Sequence, residues 1–473
     1  MMSAIFLFFV GLVLVIWLRH QPKEIDLKNE TSRLTQSRPS LHGHKTSNGN
    51  VNSGEAVVMT VPPSKGYLEA DTGQEHLVGT KTAIRMPNGV NIELPDVQGC
   101  LTHHSVREKP NFDKTIINET LLHSRSAVTQ RIAEFIDSKR AIYGGYDPLY
   151  EMLKDYPFRA GKMLRPTMCI SAGRAVGGMG DKIMATATAL ELYHNAFLIH
   201  DDIEDGSESR RGKETLHHSI GIDRAINVGD ATNVLAVGML LKNLSLIGVQ
   251  KTLSVLHEIE FMAQQSVEGQ AMELDWVADN AGQLTEQDYF TMCVKKTCWY
   301  TFISPLRIGL IIGHPTVNLS ELVEPLAQIT RFGMILGIAF QIQDDLLNLQ
   351  GEFDTYGKEI GGDIYEGKRT IMLNHVIAHS NNRDSILEIL ALSRERKTPE
   401  QVKFIYEEMK RCGSIDRGWN LARTLAYQAD NIFDSLDFLK PESPLQPGEK
   451  CGSSFQDRRF LKQLINYVIY RNL

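Results

Sequence analysis

Apolar and polar positions divide the chain into three stretches of different character. From Met1 to Leu18 the run MMSAIFLFFVGLVLVIWL holds no charged side chain, and as a helix it would extend roughly 27 Å, close to the hydrocarbon thickness of a bilayer. It predicts a membrane anchor over residues 1–20. The anchor is expected to be retained, because the run lacks a basic start and WLRHQPKE offers no small-residue cleavage site. Arg19, His20 and Lys23 follow at once, so the positive-inside tendency puts the rest of the chain in the cytosol, at the endoplasmic reticulum or another intracellular membrane. Over residues 21–110 no hydrophobic period is sustained. SRPSLHGHKTSNGNVNSGE is polar and glycine-rich, which predicts a mostly disordered tether. VVMTVPPSKGYL and TKTAIRMPNGVNIEL have strand character, the second with an Asn-Gly turn signal, but no companion run is evident to build a sheet.

From Asn111 to the C-terminus the period is helical. TIINETLLHSRSAVTQRIAEFIDSK, KIMATATALELYHNAFLI, TLSVLHEIEFMAQQSVEGQAMEL and LVEPLAQITRFGMILGIAFQI carry apolar residues three to four apart and outrun ordinary strands. Short loops with Gly, Pro or Asp separate them. There is no βαβ alternation and no GxGxxG or GxxxxGK[ST], which argues against the common nucleotide-binding folds. The expectation is an all-α bundle over residues 111–473. Composition changes this picture little. The formal net charge of −7, without any basic run interleaved with aromatics, argues against nucleic acid as a partner. The six cysteines show no CxxC pair, which suits a reduced compartment.

The candidate chemistry lies at the ends of two apolar helical runs. HDDIED places Asp201 and Asp205 four apart, and QIQDDLLN does the same for Asp344 and Asn348, so each pair shares a helix face one turn apart. Like charges at that spacing repel unless a cation sits between them. Magnesium takes oxygen ligands and completes its shell with phosphate and water, so two such patches suggest a diphosphate site. A lone acidic pair is usually solvated helix surface; two at the ends of buried helices are less easily explained that way. Cations accompany them: Lys162 and Arg165 in RAGKMLRPTM, where Pro166 could begin a helix, Arg210 and Arg211 in GSESRRGKETLHH, Lys296 beside Thr297 in VKKTCWYTF, and Lys358 and Lys368 in TYGKEIGGDIYEGKRT. His194 stands two turns before Asp201 on nearly the same face. Each alone reads as a surface or core residue.

Taken in order, GKMLRP, HNAFLIHDDIEDGSESRRG, KKT, FQIQDDLLN and GKEIGGDIYEGKRT resemble the trans-isoprenyl diphosphate synthases, of the geranylgeranyl diphosphate synthase type. The resemblance covers Asn111 to the C-terminus. It implies an isoprenoid-synthase helical bundle around a central cavity. It also implies a homodimer and three magnesium ions per active site, held by Asp201, Asp205 and Asp344 with Asp202 and Asp345 in support. Arg210, Lys296 and Lys358 would bind an allylic diphosphate (dimethylallyl, geranyl or farnesyl), and Lys368 is a further substrate-binding candidate. Lys162, Arg165, His194 and Arg211 would bind isopentenyl diphosphate. Thr297 and Gln341 would set oxygen dipoles beside the carbocation. Asp201, Asp202, Lys296, Thr297 and Gln341 are thus the expected catalytic set.

Two departures from the family pattern, and the residues that set product length, matter. Asn348 stands where many members have aspartate, and an amide can still ligate or hydrogen-bond. Ala160 and Met163 occupy positions often held by glycine and arginine. In the family, the residues four and five before the first acidic motif set product length; here these are Phe197 and Ala196. Helix geometry puts Phe197 below Asp201 as a shallow floor, whereas the family's fifth position, Ala196, favours a deeper one; a C20 product is expected, with C15 and C25 or longer as alternatives. Two rivals remain. A terpene cyclase has no use for an isopentenyl site, and a non-catalytic partner subunit typically loses an acidic motif or the arginine pair.

Overall fold

The three-to-four spacing after position 113 becomes a bundle in which two long, largely buried helices carry the acidic motifs. The computed structural model describes residues 83–85, 91–93, 113–143, 145–159, 161–177, 180–350, 361–439 and 454–470. Its principal helices are α1 (Lys114–Tyr143), α2 (Leu164–Val176), α3 (Met184–Glu204), α4 (Ile222–Leu240), α5 (Val249–Ala278) and α6 (Glu286–Cys293). After these come α7 (Ser304–Gly313), α8 (Val323–Gln350), α9 (Ile371–His379), α10 (Pro399–Arg411), α11 (Ser414–Asp434) and α12 (Ser454–Tyr470). Shorter helices and turns link them. Between α6 and α7 the helix widens into a π-helix, Val294–Ile303.

Helices α3 and α8 are buried on almost every side, as expected of helices that are hydrophobic all round. Helix α3 packs along α4, α8 lies between α11 and the π-helix, and α5 covers the π-helix from the other side. The stretch Leu319–Gln350 is long and apolar enough to cross a membrane, yet 67% of its most apolar window is buried within the protein; it is a core helix. Helices α2 and α7 meet backbone to backbone. A Cβ at Gly309 would strike the Cys169 carbonyl oxygen, and one at Gly313 would strike that of Gly173, so only glycine permits this approach.

Two details revise the sequence expectations. Helix α2 begins at Leu164, two residues before Pro166. Within the expected tether, Ala83–Arg85 pairs antiparallel with Asn91–Glu93, Ile84 opposite Ile92. The run TKTAIRMPNGVNIEL therefore supplies its own companion by folding back on itself. The expected anchor and the remainder of the tether lie outside the described residues.

Candidate active site

The first acidic patch closes helix α3. Asp201 keeps part of its surface open and lies 3.5 Å from the Lys296 Nζ. Asp205, just past the helix end, accepts a hydrogen bond from the Lys368 Nζ at 2.6 Å. Asp202 is rotated about 100° from Asp201 and is fully buried. It accepts from the Tyr156 hydroxyl at 2.6 Å, and the Arg210 Nε donates to its two oxygens at 2.9 and 3.1 Å. Asp202, expected in the catalytic set, has its oxygens turned to the protein interior, where they hold Tyr156 and Arg210. The Arg210 Nη2 stays 3.7 Å from Asp201. Burial alone would lower the Arg210 pKa, but Asp202 and Asp201 outweigh it and hold the guanidinium charged. Burial pushes Asp205 up to about 7, with Lys368 acting against it.

The second patch lies near the end of α8 with a related layout. Asp344 is half-buried and Asp345 is buried. The Tyr289 hydroxyl donates to one oxygen of Asp345 at 2.7 Å, and the Gln341 Nε2 donates to the other at 2.7 Å. The Thr297 hydroxyl in turn donates to the Gln341 Oε1 at 2.7 Å. Burial pushes Asp345 up to about 7, while the bonds from Tyr289 and Gln341 pull it back. Asn348 takes the hydrogen-bonding alternative. Its Oδ1 accepts from the Asp363 backbone N–H at 3.1 Å and its carbonyl from that of Gly361 at 2.7 Å, fastening the chain that follows α8.

The π-helix and α5 join the two patches. Lys296 bridges Asp201 and Glu273, and its neighbour Thr297 reaches Gln341 and, through it, Asp345. The approach depends on Gly269, one turn before Glu273 on α5, because a Cβ there would fall 2.7 Å from the Lys296 Cα. Lys368 bridges Asp205 and Glu366, the latter at 2.8 Å. Glu273 lies close enough to act electrostatically on both Lys368 and Asp345, so one acid stands within reach of both patches. Desolvation opposes the charge on Lys296 and Lys368, but the surrounding acids raise both above the ordinary ammonium range. Among the described residues no three acids or histidines are close enough to enclose a metal by themselves. Separated carboxylates suit an ion that takes only one or two protein ligands and completes its shell with phosphate and water.

A second cationic cluster is built on α2 and α3. The Arg165 Nη1 lies 3.1 Å from the His194 Nε2 and its Nη2 donates to the Thr301 hydroxyl at 2.7 Å. The Tyr300 ring lies beneath that guanidinium at 4.2 Å. Arg211 takes a left-handed backbone (φ 53°) and donates to the carbonyls of Tyr156 and Arg159 at 3.1 and 3.2 Å. Its guanidinium packs where a side chain at Gly161 would stand. Lys162 is exposed, 6.0 Å from the Tyr467 ring of α12. Lys358 lies outside the described residues.

The family description "Polyprenyl synthetase" matches residues 147–409, a span that holds every one of these acids and cations. The chain belongs to that family and is a trans-prenyltransferase. Among its relatives, the geranylgeranyl pyrophosphate synthase of Geoglobus acetivorans is 27% identical over 76% of this chain and all of that protein. The geranylgeranyl diphosphate synthase of Methanosarcina mazei is 31% identical over 61% of this chain and 84% of its own length. The octaprenyl diphosphate synthase of Escherichia coli is 30% identical over 60% and 81%. The crystal structure of the Pyrococcus horikoshii geranylgeranyl pyrophosphate synthetase superposes with a TM-score of 0.61 at 29% identity, covering 75% of this chain and 98% of that one.

Around these groups stand residues that sequence reading did not single out. Glu273 and Glu366 hold the two lysines, Tyr156 and Tyr289 hold the two buried aspartates, and Tyr300 and Thr301 support Arg165. Glu191 is buried one turn before His194 and Asn195; burial raises its pKa, and Arg211 and Arg165 oppose the rise. The available signal was an acid inside an otherwise apolar helix, TALELYHNAF.

Proposed function

We propose that this prenyltransferase uses magnesium to condense isopentenyl diphosphate head to tail with dimethylallyl, geranyl and farnesyl diphosphates, releasing geranylgeranyl diphosphate. One observation carries the reading: Lys296 and Thr297, neighbours on the π-helix, tie the two acidic patches together, while Arg165, His194 and Arg211 form a separate cationic cluster. An enzyme that joins two diphosphates needs both.

Asp201, Asp205 and Asp344 supply the hard oxygen donors magnesium prefers, and the ions would neutralise charge on the departing diphosphate. Lys296, Lys368 and Arg210 add fixed positive charge around the same group, which favours breaking the allylic carbon–oxygen bond with its electron pair left on diphosphate. Thr297 and Gln341 turn oxygen dipoles to the allylic cation. Lys162, Arg165, His194 and Arg211 hold isopentenyl diphosphate so that its double bond attacks the allylic carbon, and positioning supplies much of the remaining acceleration. The new tertiary cation loses a proton to the departed diphosphate. The product is an allylic diphosphate five carbons longer, ready for another round.

Product length would be set by the face of α3 one turn before Asp201. Phe197 is half-buried there, edge-on to Tyr300 with ring centres 5.7 Å apart and 6.3 Å from Tyr193. Ala196 beside it is fully buried and small. A finite aromatic floor, together with the geranylgeranyl names of several relatives, supports C20. Anchoring through residues 1–20 at an intracellular membrane and assembly as a homodimer belong to the same proposal.

The test is product analysis with the full-length chain in detergent, magnesium, labelled isopentenyl diphosphate and farnesyl diphosphate. Label in a linear C20 diphosphate supports the proposal. Hydrocarbon formed from an allylic diphosphate alone would identify a cyclase, and turnover only after adding a second chain would identify a partner subunit. Phe197→Ala is expected to shift product to C25 or longer.

A further inference from the structure

A buried side-chain relay runs from α6 through α8 to the π-helix. Tyr289 is fully buried; its hydroxyl neighbours the Cys293 thiol and donates to Asp345, which accepts in turn from the Gln341 Nε2. The Gln341 Oε1 accepts from Thr297. The Gln341 amide turns its NH2 toward Asp345 and its carbonyl toward Thr297. Its carbonyl oxygen then meets Thr297, whose hydroxyl has a single proton, and that proton is committed to Gln341. A free hydroxyl would rotate and could present its positive end to a neighbouring cation. With its proton tied, Thr297 can offer only oxygen lone pairs.

We propose that Tyr289 is a positioning residue for prenyl transfer: by fixing Asp345 it sets the orientation of the Gln341 amide, and so turns the oxygen of Thr297, not its proton, toward the allylic cation. The inference rests on the prenyltransferase reading above. Dipoles oriented before charge develops need no reorganisation during the reaction, which is where such groups gain their effect. Without the phenol, Asp345 loses a donor, and the amide loses the fixed acceptor that distinguishes its two ends.

Tyr289→Phe removes one oxygen and keeps the ring that packs 6.1 Å from Phe290. With farnesyl and isopentenyl diphosphates, kcat is expected to fall about tenfold while both KM values stay within about twofold, the signature of an interaction made only in the transition state. In a Thr297→Val background the same change is expected to cost less than about twofold, because the relay no longer ends in an oriented hydroxyl. Binding of inorganic pyrophosphate with magnesium, read by calorimetry, is expected to be unchanged. If Tyr289→Phe does not fold, Asp345→Asn must give the same kcat loss and the same non-additivity, since an amide at 345 no longer dictates which end of Gln341 faces it. An unchanged kcat, an equal loss in both backgrounds, or a parallel loss of pyrophosphate binding would overturn the proposal. Wild-type protein that binds pyrophosphate but elongates nothing would overturn the prenyltransferase reading and this inference with it.

Discussion

The two acidic patches share a plan and differ in charge. Each begins with an open aspartate, Asp201 or Asp344, followed by a buried one, Asp202 or Asp345, held by a tyrosine at 2.6 and 2.7 Å. The second partner then differs. Asp202 holds a guanidinium, Arg210, whereas Asp345 holds the neutral amide of Gln341. Four residues after the open aspartate the contrast recurs: Asp205 pairs with Lys368, and Asn348 holds backbone. On the proposed reading, the α3 patch would set cations where a diphosphate gathers negative charge, and beside the α8 patch Gln341 and Thr297 would set neutral dipoles where a carbocation forms. One helical motif, repeated, is tuned by the partner of its buried acid.

The largest test of this comparison asks whether the open acids are equivalent. Asp201→Ala and Asp344→Ala are each expected to lower kcat by about a thousandfold or more, the scale of losing charge stabilisation in a transition state. Circular dichroism should be unchanged. A tenfold smaller loss at Asp344 would show that α3 alone holds the diphosphate. Next come the buried acids, where the comparison predicts unequal stability. Asp202→Asn strands a buried guanidinium and is expected to cost about 3–5 kcal/mol in urea unfolding. Asp345→Asn leaves only neutral partners to rearrange and is expected to cost about 1–2 kcal/mol. Equal costs would remove the electrostatic distinction between the patches. The smallest effect is expected from Asn348→Asp, which gives α8 the acid that α3 has. Half-maximal activity should then need several-fold less magnesium, while the protein without metal loses about 1 kcal/mol from the added like charge beside Asp344 and Asp345. A magnesium requirement that stays the same would mean position 348 acts only through the backbone of Asp363.

Much of this was readable from the chain. Apolar period over residues 113–350 marks α3 and α8 because both are buried nearly all round, and the four-residue spacing of Asp201 and Asp205 fixes their shared face. Arg165 and His194, far apart in sequence, were both singled out for their places at a helix entrance and on the acidic face; they meet at 3.1 Å. The role of Asp202 was not readable, because a pair of adjacent aspartates does not say which one faces the cavity. That depends on Tyr156 and Arg210 packing behind α3. Tyr289 and Glu273 were missed for a related reason: each looks like ordinary amphipathic helix, and only the π-helix, which local spacing does not reveal, brings Thr297 to Gln341 and Lys296 to Glu273. The hairpin was missed because its two halves belong to one short run.

The most direct test of the central claim, that the two patches serve a single ligand, is a crystal of the full-length protein grown with manganese in place of magnesium and with inorganic pyrophosphate, its anomalous scattering measured at the manganese edge. The account predicts manganese peaks against the carboxylates of both Asp201 and Asp344, with one pyrophosphate in contact with the ions on both sides. Peaks confined to one helix, or two pyrophosphates each bound to its own patch, would contradict it.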